Sequence, residues 1–222
     1  MKYFELVKKI KDILLPTGGE YAGFEAEKIT GIASGTDSAR LFMMVREEAP
    51  DDVCRRAVDI AEERLTGKPL EYITKSACFF GLDFYVDERV LVPRADTEVI
   101  VEKAIEACRS GAKIADICCG SGCIACAISS AMPASRLVAA DISLPALEVC
   151  RRNIKDNKLS AKVITMQADA AAWPPMSIGS FDLIVSNPPY IASGELIELD
   201  GSVRDFEPLG ALDGGEDGLD FY

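Results

Sequence analysis

Asn187-Pro188-Pro189-Tyr190 is the tetrapeptide of this chain with the narrowest chemical meaning. Two prolines fix φ, remove two backbone donors and stiffen the loop. What remains is rich in acceptors: the Asn187 side-chain oxygen and the Pro188 carbonyl. An –NH2 group has two hydrogens and can donate to both, and Tyr190 offers a flat face for a planar group to stack on. An amide nitrogen is a poor nucleophile because its lone pair is delocalised into the carbonyl. Two acceptors drawing on its hydrogens raise its electron density and favour a pyramidal nitrogen. Its lone pair can then point at a sulfonium methyl for in-line displacement, with positioning and fixed dipoles supplying most of the rate. The nitrogen gains positive charge as the methyl arrives, so its proton can leave late. No histidine is needed for that, and the chain has none.

A second group of residues suits a nucleoside. Asp116-Ile117-Cys118-Cys119-Gly120-Ser121-Gly122 lies where a strand is expected to turn into a helix. Glycines there let a ligand come close to the backbone, and a helix amino end offers unpaired N–H groups. Asp141 stands 19 positions beyond Gly122, and a carboxylate there can take both hydroxyls of a ribose. Gly120 to Ala125 also fits the dinucleotide pattern G-x-G-x-x-G/A. These residues alone therefore leave an NAD-linked oxidoreductase open. Cys119, Cys123 and Cys126 have the C-x3-C-x2-C spacing of an iron–sulfur site, but Cys123 and Cys126 fall three apart on an expected buried helix face, where Cys acts as a small apolar residue.

The elements that must hold these groups can be read from periodicity. Residues 1–73 read as a helical bundle. Its first helix is expected over Tyr3 to Leu15, with Phe4, Val7, Ile10 and Leu14 as its stripe and Pro16 as its stop. Phe24, Ile29 and Ile32 mark a second helix closing near Gly35. Asp37 to Glu48 reads as a third, and Pro50-Asp51 opens a fourth that Gly67 ends. Residues 74–93 read as a β-hairpin linker, with Phe79 to Val86 turning at Gly81-Leu82 and a short strand at Val90 to Val92. From residue 94 the pattern is α/β. Helices are expected at Thr97 to Arg109, Gly122 to Ala131 and Leu144 to Lys158. Strands are expected at Lys113 to Cys118, Arg136 to Asp141, Lys162 to Met166 and Phe181 to Ser186. Such alternation implies a parallel sheet, whose ligands bind at the carboxyl ends of the strands near the switch in strand order.

Composition narrows the class further. With 49% hydrophobic and 27% charged residues, the chain is an ordinary globular one. No apolar run reaches the roughly 20 residues that span a bilayer, so no membrane role and a cytoplasmic address are expected. The formal charge is −12. Residues 195–222 hold nine acidic residues against Arg204 alone, leaving a nearly balanced body. That is not the basic footprint a nucleic-acid partner needs. The eight cysteines, two of them adjacent, read as reduced and mostly buried, with no metal among the expected ligands.

Taken together, these motifs resemble the HemK/PrmC family of protein-(glutamine-N5) methyltransferases, which act on the Gly-Gly-Gln loop of peptide-chain release factors. The likeness runs from the helical bundle through Pro69-Leu70-Glu71-Tyr72-Ile73, Phe80 to Val86, Val90 to Glu98 with Pro93-Arg94-Ala95-Asp96-Thr97-Glu98, the glycine turn and Asn-Pro-Pro-Tyr. It continues to Phe206 to Leu212 and Asp213 to Leu219. Asn-Pro-Pro-Tyr is shared with amino-methyltransferases of nucleic-acid bases; the Pro-Arg-x-Asp-Thr-Glu stretch and the bundle favour glutamine. The resemblance implies a class I S-adenosylmethionine-dependent methyltransferase (Rossmann-like) sheet after a substrate-docking bundle. S-adenosylmethionine would be held by Cys118, Cys119, Gly120, Ser121, Gly122 and Asp141, with Asp169 and Ala170 flanking adenine. Asn187 would touch cofactor and substrate. Pro188, Pro189 and Tyr190 would complete the catalytic and substrate-binding corner, lined further by Arg94 and Thr97. Many relatives have glycine at the place of Cys118 and an aromatic residue at that of Ala170, for which Trp173 is a candidate substitute. Relatives also continue through further strands. A sheet incomplete at its carboxyl end, with a bare edge strand and a loosely ordered acidic tail, is therefore expected, and with it low activity, low stability or a dimer that covers the edge. An inactive cofactor-binding remnant and a base-directed enzyme are the alternatives.

Overall fold

The computed structural model describes residues 1–172 and 179–222. It divides into two compact units, Met1–Thr74 and Lys75–Tyr222.

The first unit is helical. Helix α1 (Tyr3–Gly18) buries Tyr3, Leu6, Ile10 and Leu14, spaced three and four apart. That face is rotated from the expected stripe: Phe4 is largely exposed, and Leu6 takes its place. Pro16 does not end the helix but rides in its last turn; the stop is Gly19, whose φ of +47 a side chain would resist. Helix α2 (Ala22–Ser34) closes on Gly35 as expected, with φ +68 and its N–H returned to the preceding turn. Its core face is small, Ala22, Ala26, Ile29 and Ala33, and Phe24 is 70% exposed. Asp37 caps a shorter α3 (Ser38–Met43), accepting from the Arg40 N–H at 2.7 Å. Pro50 opens α4 (Asp51–Arg64) with two acids in its first turn. A fifth helix, α5 (Leu70–Thr74), is too short for its periodicity to have announced it.

The second unit opens with a two-residue hairpin. Strands β1 (Ala77–Phe79) and β2 (Leu82–Phe84) pair with Phe79 opposite Leu82. The turn is therefore Phe80-Gly81, one residue before its expected place, with φ of +50 and +73. The Phe80 N–H donates to Glu98 at 2.7 Å, which ties the turn to the start of α6 (Glu98–Ala107). Residues Val90 to Val92 form no strand; Val90 and Val92 are buried in irregular chain.

The α/β part follows the expected order: β3 (Lys113–Ile117), α7 (Cys123–Ala131), β4 (Arg136–Asp141), α8 (Leu144–Asp156), β5 (Val163–Gln167), β6 (Leu183–Ser186) and the short α9 (Gly201–Arg204). The sheet runs β5-β4-β3-β6, all parallel. Its order reverses between β3 and β6, so the loops leaving these two strands diverge and open a crevice. Helix α7 is apolar or small all round, with residues 123–129 buried, because it is packed among α6, α8 and the sheet. Ser143 caps α8, accepting from the Ala146 N–H at 3.2 Å. Residues 199–222 are folded rather than loose: they return to the exit of β6 through an Ile191–Asp213 bridge and the Ser193 N–H to Gly215 bond of 2.8 Å. No helix among the described residues is long and apolar enough to cross a membrane.

Candidate active site

A cavity of about 430 Å³ lies at the carboxyl ends of β3, β4 and β6. Its walls bring together Arg94, Thr97, Cys118, Cys119, Gly120, Ser121, Asp141, Asp169, Ala170, Asn187 and Pro189. Three expected residues stand outside this lining. Gly122 turns toward α8, where a Cβ would lie 2.5 Å from the Cys150 sulfur, so the helix packs closely on it. Pro188 is buried, and Tyr190 is 60% exposed. Trp173 lies outside the described residues.

The turn after β3 is built by short backbone bonds. Cys119 N–H donates to the Ala140 carbonyl at 3.0 Å and Gly122 N–H to the Cys119 carbonyl at 2.7 Å. Gly120 has φ +50, and a Cβ on it would meet nothing within 4 Å. Its bare backbone therefore faces open space where a ligand can approach. Cys118 also takes a left-handed φ of +58, the conformation that favours glycine. Burial, then the nearby Asp141 charge, pushes its thiol up to about 11, so it stays protonated. Burial does the same for Cys123, to about 12, and for Cys126. Cys119 is raised by its contact with Cys150, sulfur to sulfur 4.0 Å, and by burial.

Asp141 holds the turn from the next strand. One carboxylate oxygen accepts from Gly120 N–H at 2.8 Å and the other from Ser143 N–H at 2.9 Å. Each oxygen keeps a further lone-pair direction for a ligand hydroxyl. Beneath the turn, Asp116 is fully buried and accepts from Ala125 N–H at 3.0 Å, while its other oxygen finds no partner among the described residues. Desolvation raises its carboxyl from 3.8 to about 7. Asn153 on α8 donates to the Ser121 carbonyl at 2.9 Å and exchanges two bonds with the Tyr85 backbone, fastening turn and hairpin exit together.

The opposite wall is the Asn187 corner. Behind it, Gly214 and Gly218 press on its backbone. A Cβ on Gly214 would lie 2.8 Å from Tyr190 Cα and 2.9 Å from the Pro189 carbonyl oxygen, and one on Gly218 would strike the Tyr190 carbonyl. The glycines of Asp213 to Gly218 are therefore a brace for the proline corner. Ser186 Oγ, just before it, donates to the Ile117 carbonyl at 2.7 Å and locks β6 to β3. Arg94 and Thr97 line the cavity, and neither side chain caps a helix. Arg94 is ion-paired to Glu207. The residues that motif reading left without a role are Glu207, Asn153 and Ile142, an apolar side chain that lines the cavity beside Asp141. Glu207 lay inside the stretch quoted for the resemblance, and a lone acid between Phe206 and Pro208 was its only signal.

Known proteins resemble this chain along most of its length. Residues 5–74 match the PrmC N-terminal domain and residues 95–199 the methyltransferase small domain. The chain is 37% identical over 220 residues to the release factor glutamine methyltransferase of Geobacter sulfurreducens, covering 97% of this chain and 76% of that one. The chain belongs to the release factor glutamine methyltransferase family. The Moorella thermoacetica member is 41% identical over 212 residues, covering 94% of this chain and 74% of its own length. Among solved structures, PKMT2 from Rickettsia typhi in complex with AdoHcy is similar over 38% of this chain and 16% of that one, at 26% identity and a TM-score of 0.33. The second unit is thus a Rossmann-like methyltransferase sheet, of which four parallel strands are described.

Proposed function

We propose that this chain transfers the methyl group of S-adenosylmethionine to the side-chain amide nitrogen of the glutamine in the Gly-Gly-Gln loop of peptide-chain release factors. The observation that carries this reading is that Asn187 and Pro189 share one cavity with the glycine turn and Asp141. The Asn187 side chain, an acceptor for an –NH2 group, and a nucleoside cradle thus open into the same space.

The residues present fit the cofactor. The bare face of Gly120, the carboxylate of Asp141 and a cavity of about 430 Å³ suit an adenosyl group. Cys118 to Ser121 would hold its amino-acid and ribose part, Asp141 the ribose hydroxyls, and Asp169 with Ala170 the adenine. Ile142 would supply the apolar face that Ala170 is too small to give. When bound, the cofactor supplies a methyl carbon made electrophilic by its sulfonium sulfur. The protein's part is to hold the nitrogen. Asn187 would accept one of its hydrogens from the cavity wall, and the Pro188 carbonyl, outside the present lining, would have to be reached by the second; together they would localise the lone pair and aim it. Tyr190 offers a ring to the incoming planar carboxamide. The protonated product nitrogen loses its proton to solvent, so no side chain has to titrate near neutrality for the transfer. The helical unit Met1–Thr74 is the candidate docking element for the release factor.

The test is the intact mass of a purified release factor after incubation with the protein and S-adenosylmethionine. A gain of one methyl, lost when the loop glutamine is replaced, is expected. Transfer to DNA or ribosomal RNA instead would replace this reading with the base-directed one.

A further inference from the structure

The ion pair between Arg94 and Glu207 joins residues 113 positions apart, and no step above uses Glu207. Its side chain is 1% exposed. One oxygen accepts from the Val92 N–H at 3.3 Å, and the other accepts from the Arg94 guanidinium. Val92, Pro93 and Arg94 all line the cavity. Next to Glu207 in sequence, Pro208, Gly210 and Ala211 line it as well. Glu207 thus fastens one cavity wall to another from behind.

A full charge is more than the Val92 N–H requires, since a neutral acceptor would satisfy it, and a buried carboxylate is costly unless it is paired. The charge is matched to Arg94. A guanidinium carries five N–H donors in one rigid plane, so pinning one terminal nitrogen orients the rest. The other cavity-lining arginine, Arg89, is committed to Asp87 through three of its contacts and to Glu148 through another. Arg94, with its head half exposed, is the guanidinium with donors to offer. It stands in a cavity whose opposite corner offers acceptors. Carbonyl oxygens of a peptide backbone, bare at glycine, are what such donors would receive.

We propose that Glu207 is a positioning residue that orients the Arg94 guanidinium to receive backbone carbonyls of the acceptor peptide. This deepens the function proposed above and rests on it. The experiment measures the affinity of the S-adenosylhomocysteine-loaded protein for a Gly-Gly-Gln peptide. It compares wild type, Glu207→Gln, Arg94→Met, Arg94→Lys and the Glu207→Gln/Arg94→Met double variant. Glu207→Gln and Arg94→Met are each expected to weaken the peptide about 10- to 100-fold, the range of a charge-assisted hydrogen bond. The double variant should lose little beyond Arg94→Met, because the first residue acts through the second. Arg94→Lys, lacking the planar fork, should not restore binding, and S-adenosylhomocysteine affinity should stay within about twofold throughout. Wild-type peptide affinity in Glu207→Gln would overturn the inference. So would additive losses in the double variant, or a parallel loss of S-adenosylhomocysteine that marks general collapse. Wild type that binds the peptide but transfers no methyl would overturn the activity while leaving Glu207's role standing; wild type that binds no peptide would overturn both.

Discussion

The two loops that leave β3 and β6 are neighbours in space and opposites in construction. The first, Cys118 to Gly122, bends through three left-handed residues. It is held from beneath by side chains: Asp116, Asp141 and Asn153. The second, Asn187 to Tyr190, is stiffened by two prolines and held from behind by the glycine backbone of residues 214 and 218. One loop offers a bare backbone to a ligand that must be approached closely. The other offers acceptors, and few donors, to a group rich in hydrogens. Under the proposed function, the difference separates two tasks, gripping a cofactor and activating a nitrogen, onto two loops that can be damaged independently.

The sharpest way to break the comparison is at Asn187. Asn187→Ala is expected to lower turnover about 10²- to 10³-fold, the scale of removing one fixed group aimed at the reacting centre. S-adenosylhomocysteine affinity, read by calorimetry, should change far less. Gly218→Ala attacks the same corner from outside. Its Cβ would meet the Tyr190 carbonyl at a left-handed φ of +77, so the corner must shift. A loss of about 1–3 kcal/mol in denaturant stability is expected, together with reduced turnover, again with the cofactor affinity largely kept.

The glycine turn should respond to pH instead. The Asp116 carboxyl is raised by burial from 3.8 to about 7. The folded chain therefore binds a proton there that the unfolded chain has released, and stability falls as pH rises through that window. Asp116→Asn keeps an acceptor for the Ala125 N–H and removes the charge. It should flatten the melting temperature between about pH 4 and pH 7 and raise it relative to wild type above that range. A melting series across pH checks it; an unchanged slope would mean Asp116 ionises as an exposed acid does. The smallest effect is expected at Cys118. Cys118→Gly relieves a left-handed side chain and should stabilise the fold by about 1 kcal/mol, or roughly 2–4 °C, in thermal melts.

Why some of this could be read in advance and some could not is visible residue by residue. The α/β half was legible because β3, β4 and β5 are short apolar runs broken by glycine, proline and capped helices, and Arg136 to Asp141 begins and ends where expected. Asn187, Gly120 and Asp141 could be singled out from their local chemistry, and the structure brings them to one cavity. In the bundle, alanine contacts decide which face is inside. Ala22 and Ala26 are fully buried while Phe24 is not, so the large side chain misled the stripe of α2. Val90 to Val92 looked like a strand by composition, yet Val92 bonds to a side chain 115 positions away. Glu207, Asn153 and Gly218 matter through partners distant in sequence, which no local pattern announces. The acidic run after Glu195 read as loose because the further strands of relatives were expected to be its packing partners, whereas its glycines let it close on the proline corner.

Asn153 carries one more implication. A single carboxamide on α8 satisfies the Tyr85 N–H, the Tyr85 carbonyl and the Ser121 carbonyl, partners 68 and 32 residues away. None of these groups is served by Asn153 until hairpin, helix and turn have docked, so the turn after β3 is held by contacts distant in sequence rather than by local ones. Amide exchange at Tyr85 would then require undocking the hairpin rather than fraying a strand end, making that one proton a reporter of when the nucleotide cradle comes apart.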